Sequence, residues 1–130
     1  MLVFGDPQQL ERLNTMIYAH IPREVERRMA ASPAPIIGSD AIDLVESGLS
    51  KLCDRTLAVL APVEDRIRRI MARDGISEEY ARLRVAAQKD DVFYRTHCTD
   101  ILENTSAAPE AFQNTALLFF QRRLTDHLKK

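Results

Sequence analysis

Leu10, Leu13, Met16 and Ile17 recur three and four residues apart, which puts them on one side of a helix. Asp6-Pro7 predicts where that helix starts, because Asp can accept from the free N–H groups and Pro at the first helical position gives up nothing. Pro22 predicts its end or a kink, after which Arg23 to about Met29 reads as a second, charged helix. Ala30 to Pro35, rich in Ala, Ser and Pro, reads as a linker.

The pattern then changes to short apolar runs bounded by turn residues. Ile36-Ile37-Gly38-Ser39-Asp40-Ala41-Ile42 and Leu57-Ala58-Val59-Leu60 predict buried parallel strands, with Ile101-Leu102 as a shorter third. Between the last two lies helical sequence. Pro62 opens a helix with Val63, Ile67, Ile70 and Met71 on one side and Arg66, Arg69 and Arg73 beside them, and Asp74-Gly75 closes it. Ser77 caps the next helix, with Glu78 and Glu79 in its positive first turn and Tyr80, Leu83 and Ala87 expected to face inward. Pro109 starts a final helix through Phe112, Ala116, Phe119, Phe120 and Leu124. Helices alternating with a few parallel strands make the expected class α/β.

Composition changes this picture little. A hydrophobic share of 45% and a charged share of 28% suit one globular domain of 130 residues. The net charge of −1 gives no overall attraction to nucleic acid, and aromatic residues do not interleave with the basic ones. We therefore expect no nucleic-acid partner and, with no apolar run near membrane-spanning length, no membrane partner. Cys53 and Cys98 form no CxxC pair, and with no signal peptide the expected location is cytoplasmic with reduced thiols. His97-Cys98 are adjacent and cannot both face one ion on a regular element, so no metal site is expected there. Arg outnumbers Lys, 14 to 4, a bias that suits planar gripping of phosphate or carboxylate.

Three segments, in order, carry a more specific signal. The first is Leu2-Val3-Phe4-Gly5-Asp6-Pro7 with Leu10 and Leu13-Asn14. The second is Asp40-Ala41-Ile42-Asp43-Leu44-Val45-Glu46-Ser47-Gly48-Leu49 with Cys53-Asp54. The third is Arg69-Ile70-Met71-Ala72-Arg73-Asp74-Gly75-Ile76-Ser77, then Ala81, Arg84, Gln88 and Asn104. Read alone, Asp40 is either a turn former or a ligand carboxylate at a strand end. Likewise the arginine stripe is either a solvated helix face or a phosphate grip.

Together the three segments resemble the dephospho-coenzyme A kinase family over nearly the whole chain. The resemblance implies a partial P-loop kinase fold: parallel strands flanked by helices, a helical lid, and the central first strand missing. It implies transfer of the ATP γ-phosphate to the ribose 3′-hydroxyl of dephospho-CoA, with ATP and Mg²⁺ expected for the full-length family. Asp40 would lie near metal and phosphates, and Asp43, Leu44, Glu46, Ser47 and Gly48 would border the acceptor site. Arg69, Arg73, Arg84 and Gln88 would serve the ATP-facing lid, and Asn104 would lie near the adenine. The chain would divide into acceptor-side helices (1–31), core strands (35–61), helices and lid (62–98), and a last strand with a C-terminal helix (99–130).

The sequence departs from the family pattern in one large way and several small ones. None of Gly5, Gly38, Gly48 and Gly75 opens a GxxxxGK[ST] loop, so the phosphate-cradling backbone, its Lys and the metal-binding hydroxyl are not in these residues. Tyr18-Ala19 stands where the family has His-Pro, and Ile42 where it has the Pro of Asp-x-Pro. The expectation is a truncated chain that does not catalyse alone. The alternative is an interaction module that self-associates, or complements an N-terminal partner, through exposed strand edges.

Overall fold

The computed structural model describes residues 6–105 and 108–129, so Leu2-Val3-Phe4-Gly5 of the first motif lies outside the described residues. The chain divides into two compact units, Met1–Thr56 and Leu57–Lys130.

In the first unit, α1 runs from Pro7 to Ala31 without interruption. Asp6 caps it as expected, its Oδ1 accepting from the N–H of Gln8 at 2.9 Å and of Gln9 at 3.4 Å. The helix does not end at Pro22 and no second helix starts at Arg23: Pro22 lies inside one helix. It still removes the N–H that the carbonyl of Tyr18 would receive. Beyond it, Glu24 holds both Arg27 and Arg28, at 2.7 and 2.8 Å, and these pairings one turn apart favour continuing the helix. No residue of α1 is buried.

The expected strand over Ile36–Ile42 is also absent. Residues 36–41 hold no regular structure, and Ile36, Ile37 and Ile42 are exposed. A strand needs a neighbouring backbone to pair with, and no described segment supplies one. Asp40 accordingly sits on exposed chain rather than at a strand end. Turns over 42–47 lead into a short 3₁₀ helix, Leu49–Leu52, whose Leu49 is buried.

The second unit holds the sheet. Strands β1 (Leu57–Leu60) and β2 (Asp100–Glu103) pair in parallel, in the register Leu57 with Asp100 to Leu60 with Glu103. The Asn104 N–H extends the ladder by donating to the Leu60 carbonyl at 2.7 Å. Ala58, Leu60, Asp100 and Leu102 are buried while Val59 is exposed, so β1 is covered on one face instead of both.

Helices α2 (Val63–Asp74), α3 (Glu78–Ala86), α4 (Asp91–His97) and α5 (Pro109–Leu128) complete the unit. Helix α2 ends at Gly75, whose φ of 65° is the left-handed turn that glycine makes without strain. Ser77 Oγ then accepts from the Tyr80 N–H at 3.2 Å and starts α3. The core of this hairpin is Ile67, Ala81 and Val85, with Ile70, Met71 and Ile76 packed around them. Tyr80 and Leu83, expected inside, are exposed. Ala81 and Val85 pack against Ile67 of α2, which turns that side of α3 inward and leaves Tyr80 and Leu83 outside.

Candidate functional site

The residues singled out by sequence fall into two separate groups, one in each unit. Asp43 to Gly48 form one tight loop in the first. The Asp43 carbonyl accepts from the Ser47 N–H at 2.9 Å, and the Leu44 carbonyl from the Ser50 N–H at 2.9 Å. Ser47 Oγ accepts from the Leu49 N–H at 3.4 Å. Gly48 takes φ of 82°, which lets the chain reverse into the 3₁₀ helix. Two carboxylates mark this loop. Asp43 is exposed, and Oε2 of half-buried Glu46 has no hydrogen-bond partner.

Tyr18 of α1, not singled out for a site role beforehand, reaches this loop. Its hydroxyl donates to Asp43 Oδ2 at 3.1 Å. Burial pushes the phenol pKa up, and the bond to Asp43 and the charges of Asp43 and Glu46 push it further. Nearby, burial and Asp54 raise the Cys53 thiol, which keeps it protonated and unreactive.

The second unit carries the basic residues. Arg73 donates from Nε and Nη2 to the two carboxylate oxygens of Asp74, at 2.7 and 3.0 Å. Arg84 of α3 adds Nη1 to Asp74 Oδ2 at 2.6 Å. Hydrogen bonds from Arg73 and then Arg84 hold the Asp74 carboxyl well below its usual range. Arg82 makes a similar knot, gripping Glu64 of α2 at 3.0 Å through both terminal nitrogens and Glu78 at 2.7 Å. That knot lowers the Glu64 carboxyl and raises the guanidinium.

Among the described residues, Gln88, expected in the lid, and Asn104, expected near the adenine, join neither knot. Gln88 accepts from Arg66 of α2, and Asn104 lies at the end of β2. Arg69 is exposed on α2. An open cleft of about 600 Å³ lies between α2 and the end of α3, walled by Val63, Ile67 and Val85 and edged by Arg66, Gln88 and Lys89, and Arg69, Arg73, Arg84 and Asn104 do not line it. Among the described residues no three His, Cys, Asp or Glu side chains are placed to hold a metal ion. No described helix is long and apolar enough to cross a membrane.

Asp74 was legible only as a helix end. Its sequence signal was the Arg-Asp-Gly run: an acidic side chain at the negative end of a helix is unfavourable unless cations hold it.

Comparison with known proteins places this architecture. The crystal structure of TT1252 from Thermus thermophilus superposes with a TM-score of 0.72 at 31% identity, covering 93% of this chain and 63% of that one. The class so defined is an α/β chain of the P-loop kinase type, with parallel strands flanked by helices.

The family model CoaE, dephospho-CoA kinase, matches residues 1–110. A dephospho-CoA kinase of Thermus thermophilus is 35% identical over 106 residues, 82% of this chain and 52% of the relative. Another, from Burkholderia lata, is 32% identical over 124 residues, 95% of this chain and 61% of the relative. The chain belongs to the dephospho-CoA kinase family. It spans between about half and three-fifths of the length of these relatives.

Proposed function

We propose that this chain supplies the acceptor-side and lid portions of an enzyme that moves the γ-phosphate of ATP onto the ribose 3′-hydroxyl of dephospho-CoA, in the cytoplasm. The carrying observation is the convergence of Arg73 and Arg84, from two helices, on a single carboxylate. Two guanidinium forks arranged around one anion suit the equatorial oxygens of a transferring phosphoryl group, which asks the protein chiefly for positioning and positive charge. In this reading Arg69, Gln88 and Asn104 complete the nucleotide side. Asp43, Leu44, Glu46, Ser47 and Gly48 border the acceptor, with the exposed carboxylate of Asp43 available to its hydroxyls.

Asp40, whose exposed carboxylate is a hard oxygen donor, would lie near Mg²⁺, which would supply positive charge at the phosphates. Because these residues contain no GxxxxGK[ST] loop, we expect the 130-residue chain to bind its substrates weakly and not to turn over by itself. The test is titration calorimetry with ATP·Mg²⁺ and with dephospho-CoA, beside a coupled kinase assay. Weak binding without turnover is expected. Turnover by the isolated chain overturns the claim of incompetence, and no binding of either ligand overturns the assigned sites.

A second reading rests on the exposed Ile36, Ile37, Ile42 and Val59, and on the uncovered face of β1. Under it the chain is a non-catalytic module that pairs with itself or with an N-terminal partner. Light scattering after size exclusion separates the readings, since a stable monomer across concentrations speaks against self-pairing.

A further inference from the structure

We propose that Asp74 is an internal competitor for phosphate, occupying the place on Arg73 and Arg84 that a phosphoryl oxygen takes, so that it sets the affinity of this grip. The inference rests on the phosphate-binding reading of those two arginines. Three observations support it. The first is geometric: Arg73 holds both carboxylate oxygens side-on at 2.7 and 3.0 Å, while Arg84 joins at Oδ2 at 2.6 Å. A trigonal carboxylate with one oxygen shared between two forks presents the same acceptor pattern as one edge of a phosphate.

The second is that the helix gains nothing from this carboxylate. Asp74 is the last residue of α2, where the backbone dipole is negative and favours cations, as Arg73 beside it satisfies. The turn itself is made by Gly75, whose N–H donates to the Met71 carbonyl at 2.9 Å whatever side chain precedes it. The third is exposure. The side chains of Arg73 and Arg84 are 68% and 42% exposed, so an arriving anion reaches both without unpacking the core of Ile67, Ala81 and Val85. The competitor stays charged at neutral pH, since both arginines hold its carboxyl well below its usual range.

Arg82 shows the contrasting arrangement. Its carboxylates lie on both helices, Glu64 on α2 and Glu78 on α3, and the three tie the hairpin together. Relieving Asp74 therefore leaves α2 and α3 joined.

The experiment is calorimetry with inorganic tripolyphosphate on the 130-residue chain and on Asp74→Asn, which keeps size and polarity but removes the charge. The variant is expected to bind roughly three- to tenfold more tightly, the range for losing one or two exposed ion-pair competitors. A carboxyl-detected NMR titration of the unaltered chain is the second measurement. With saturating tripolyphosphate, the Asp74 pKa is expected to rise toward its ordinary value as its partners leave. Equal or weaker binding by Asp74→Asn, or an Asp74 pKa that does not move under saturation, overturns the competitor role while leaving the phosphate grip standing. Failure of both proteins to bind overturns the grip and the competitor together.

Discussion

Arg123 of α5 donates from Nη2 to Oδ1 of Asp100 on β2 at 2.8 Å, and the Asp100 side chain is only 4% exposed. The final helix is thus tied to the sheet by a charge that has almost left water. Such a carboxylate depends on its partners, because a desolvated anion without them is costly. Arg123→Ala is expected to cost about 1–3 kcal/mol, and a double-mutant cycle with Asp100→Asn to show coupling between the two positions. Urea melts measure both. Independent effects that simply add mean the contact does not tie α5 down.

The α2–α3 hairpin gives a paired test of which side of α3 is inside. Ile67→Ala, which empties a site only 3% exposed beside Ala81 and Val85, is expected to cost roughly 2–5 kcal/mol. Leu83→Ala, at 62% exposure, is expected to stay within about 0.5 kcal/mol. Thermal melts that reverse this order contradict the packing described.

Gly48 has open space where a Cβ would go, so substitution there is governed by its φ of 82° alone. Gly48→Ala is expected to lose about 1–2 kcal/mol of stability, and Gly48→Asn less, because Asn tolerates the left-handed region better. Chemical denaturation of the two variants checks the order.

Tyr18 offers a pH test whose direction follows from its raised pKa. The neutral phenol is the form that donates to Asp43, so the contact's stabilisation is full below the ordinary tyrosine value of 10.0. It is lost as pH rises through the higher folded value. Tyr18→Phe is expected to remove about 0.5–1 kcal/mol at pH 7 and to abolish the part of the stability loss that sets in as pH rises above the ordinary tyrosine value. It is also expected to weaken dephospho-CoA binding if the loop serves the acceptor. Ultraviolet difference titration follows the phenol directly. An ordinary ionisation midpoint sinks the assignment.

Much of the second unit was legible because its signals are local. Pro62, Gly75, Ser77 and Pro109 each fix a helix boundary through backbone chemistry that does not depend on distant residues. Strand Leu57–Leu60 and its parallel partner follow from short apolar runs between turns. What failed was set by tertiary context. Ile36–Ile42 has the composition of a strand, yet pairing needs a neighbour that composition does not reveal. Pro22 is a breaker by propensity, but strong helix formers and the Glu24 pairs carry α1 past it. On α3, spacing permits more than one apolar side, and packing of Ala81 and Val85 against Ile67 of α2 decides among them. Motif order singled out Asp43 to Gly48, Arg73 and Arg84, and the structure draws the first set into one loop and the other two onto Asp74. The contacts of Tyr18 with Asp43 and of Asp74 with Arg73 and Arg84 became visible only from distances between elements.

The unbroken course of α1 through Pro22 has a consequence for motion. With none of its 25 residues buried, this helix draws little from packing, and Pro22 leaves one carbonyl near its middle without the usual partner. Its two halves, Pro7 to Ile21 and Arg23 to Ala31, are each near or below the length at which an isolated helix persists in water. Opening can therefore begin at the centre as well as at the ends. Amide hydrogens along α1 should exchange with solvent well before those of Ile67 and Val85, so that the Tyr18 end of the bond to Asp43 rests on a helix that opens more readily than the hairpin core.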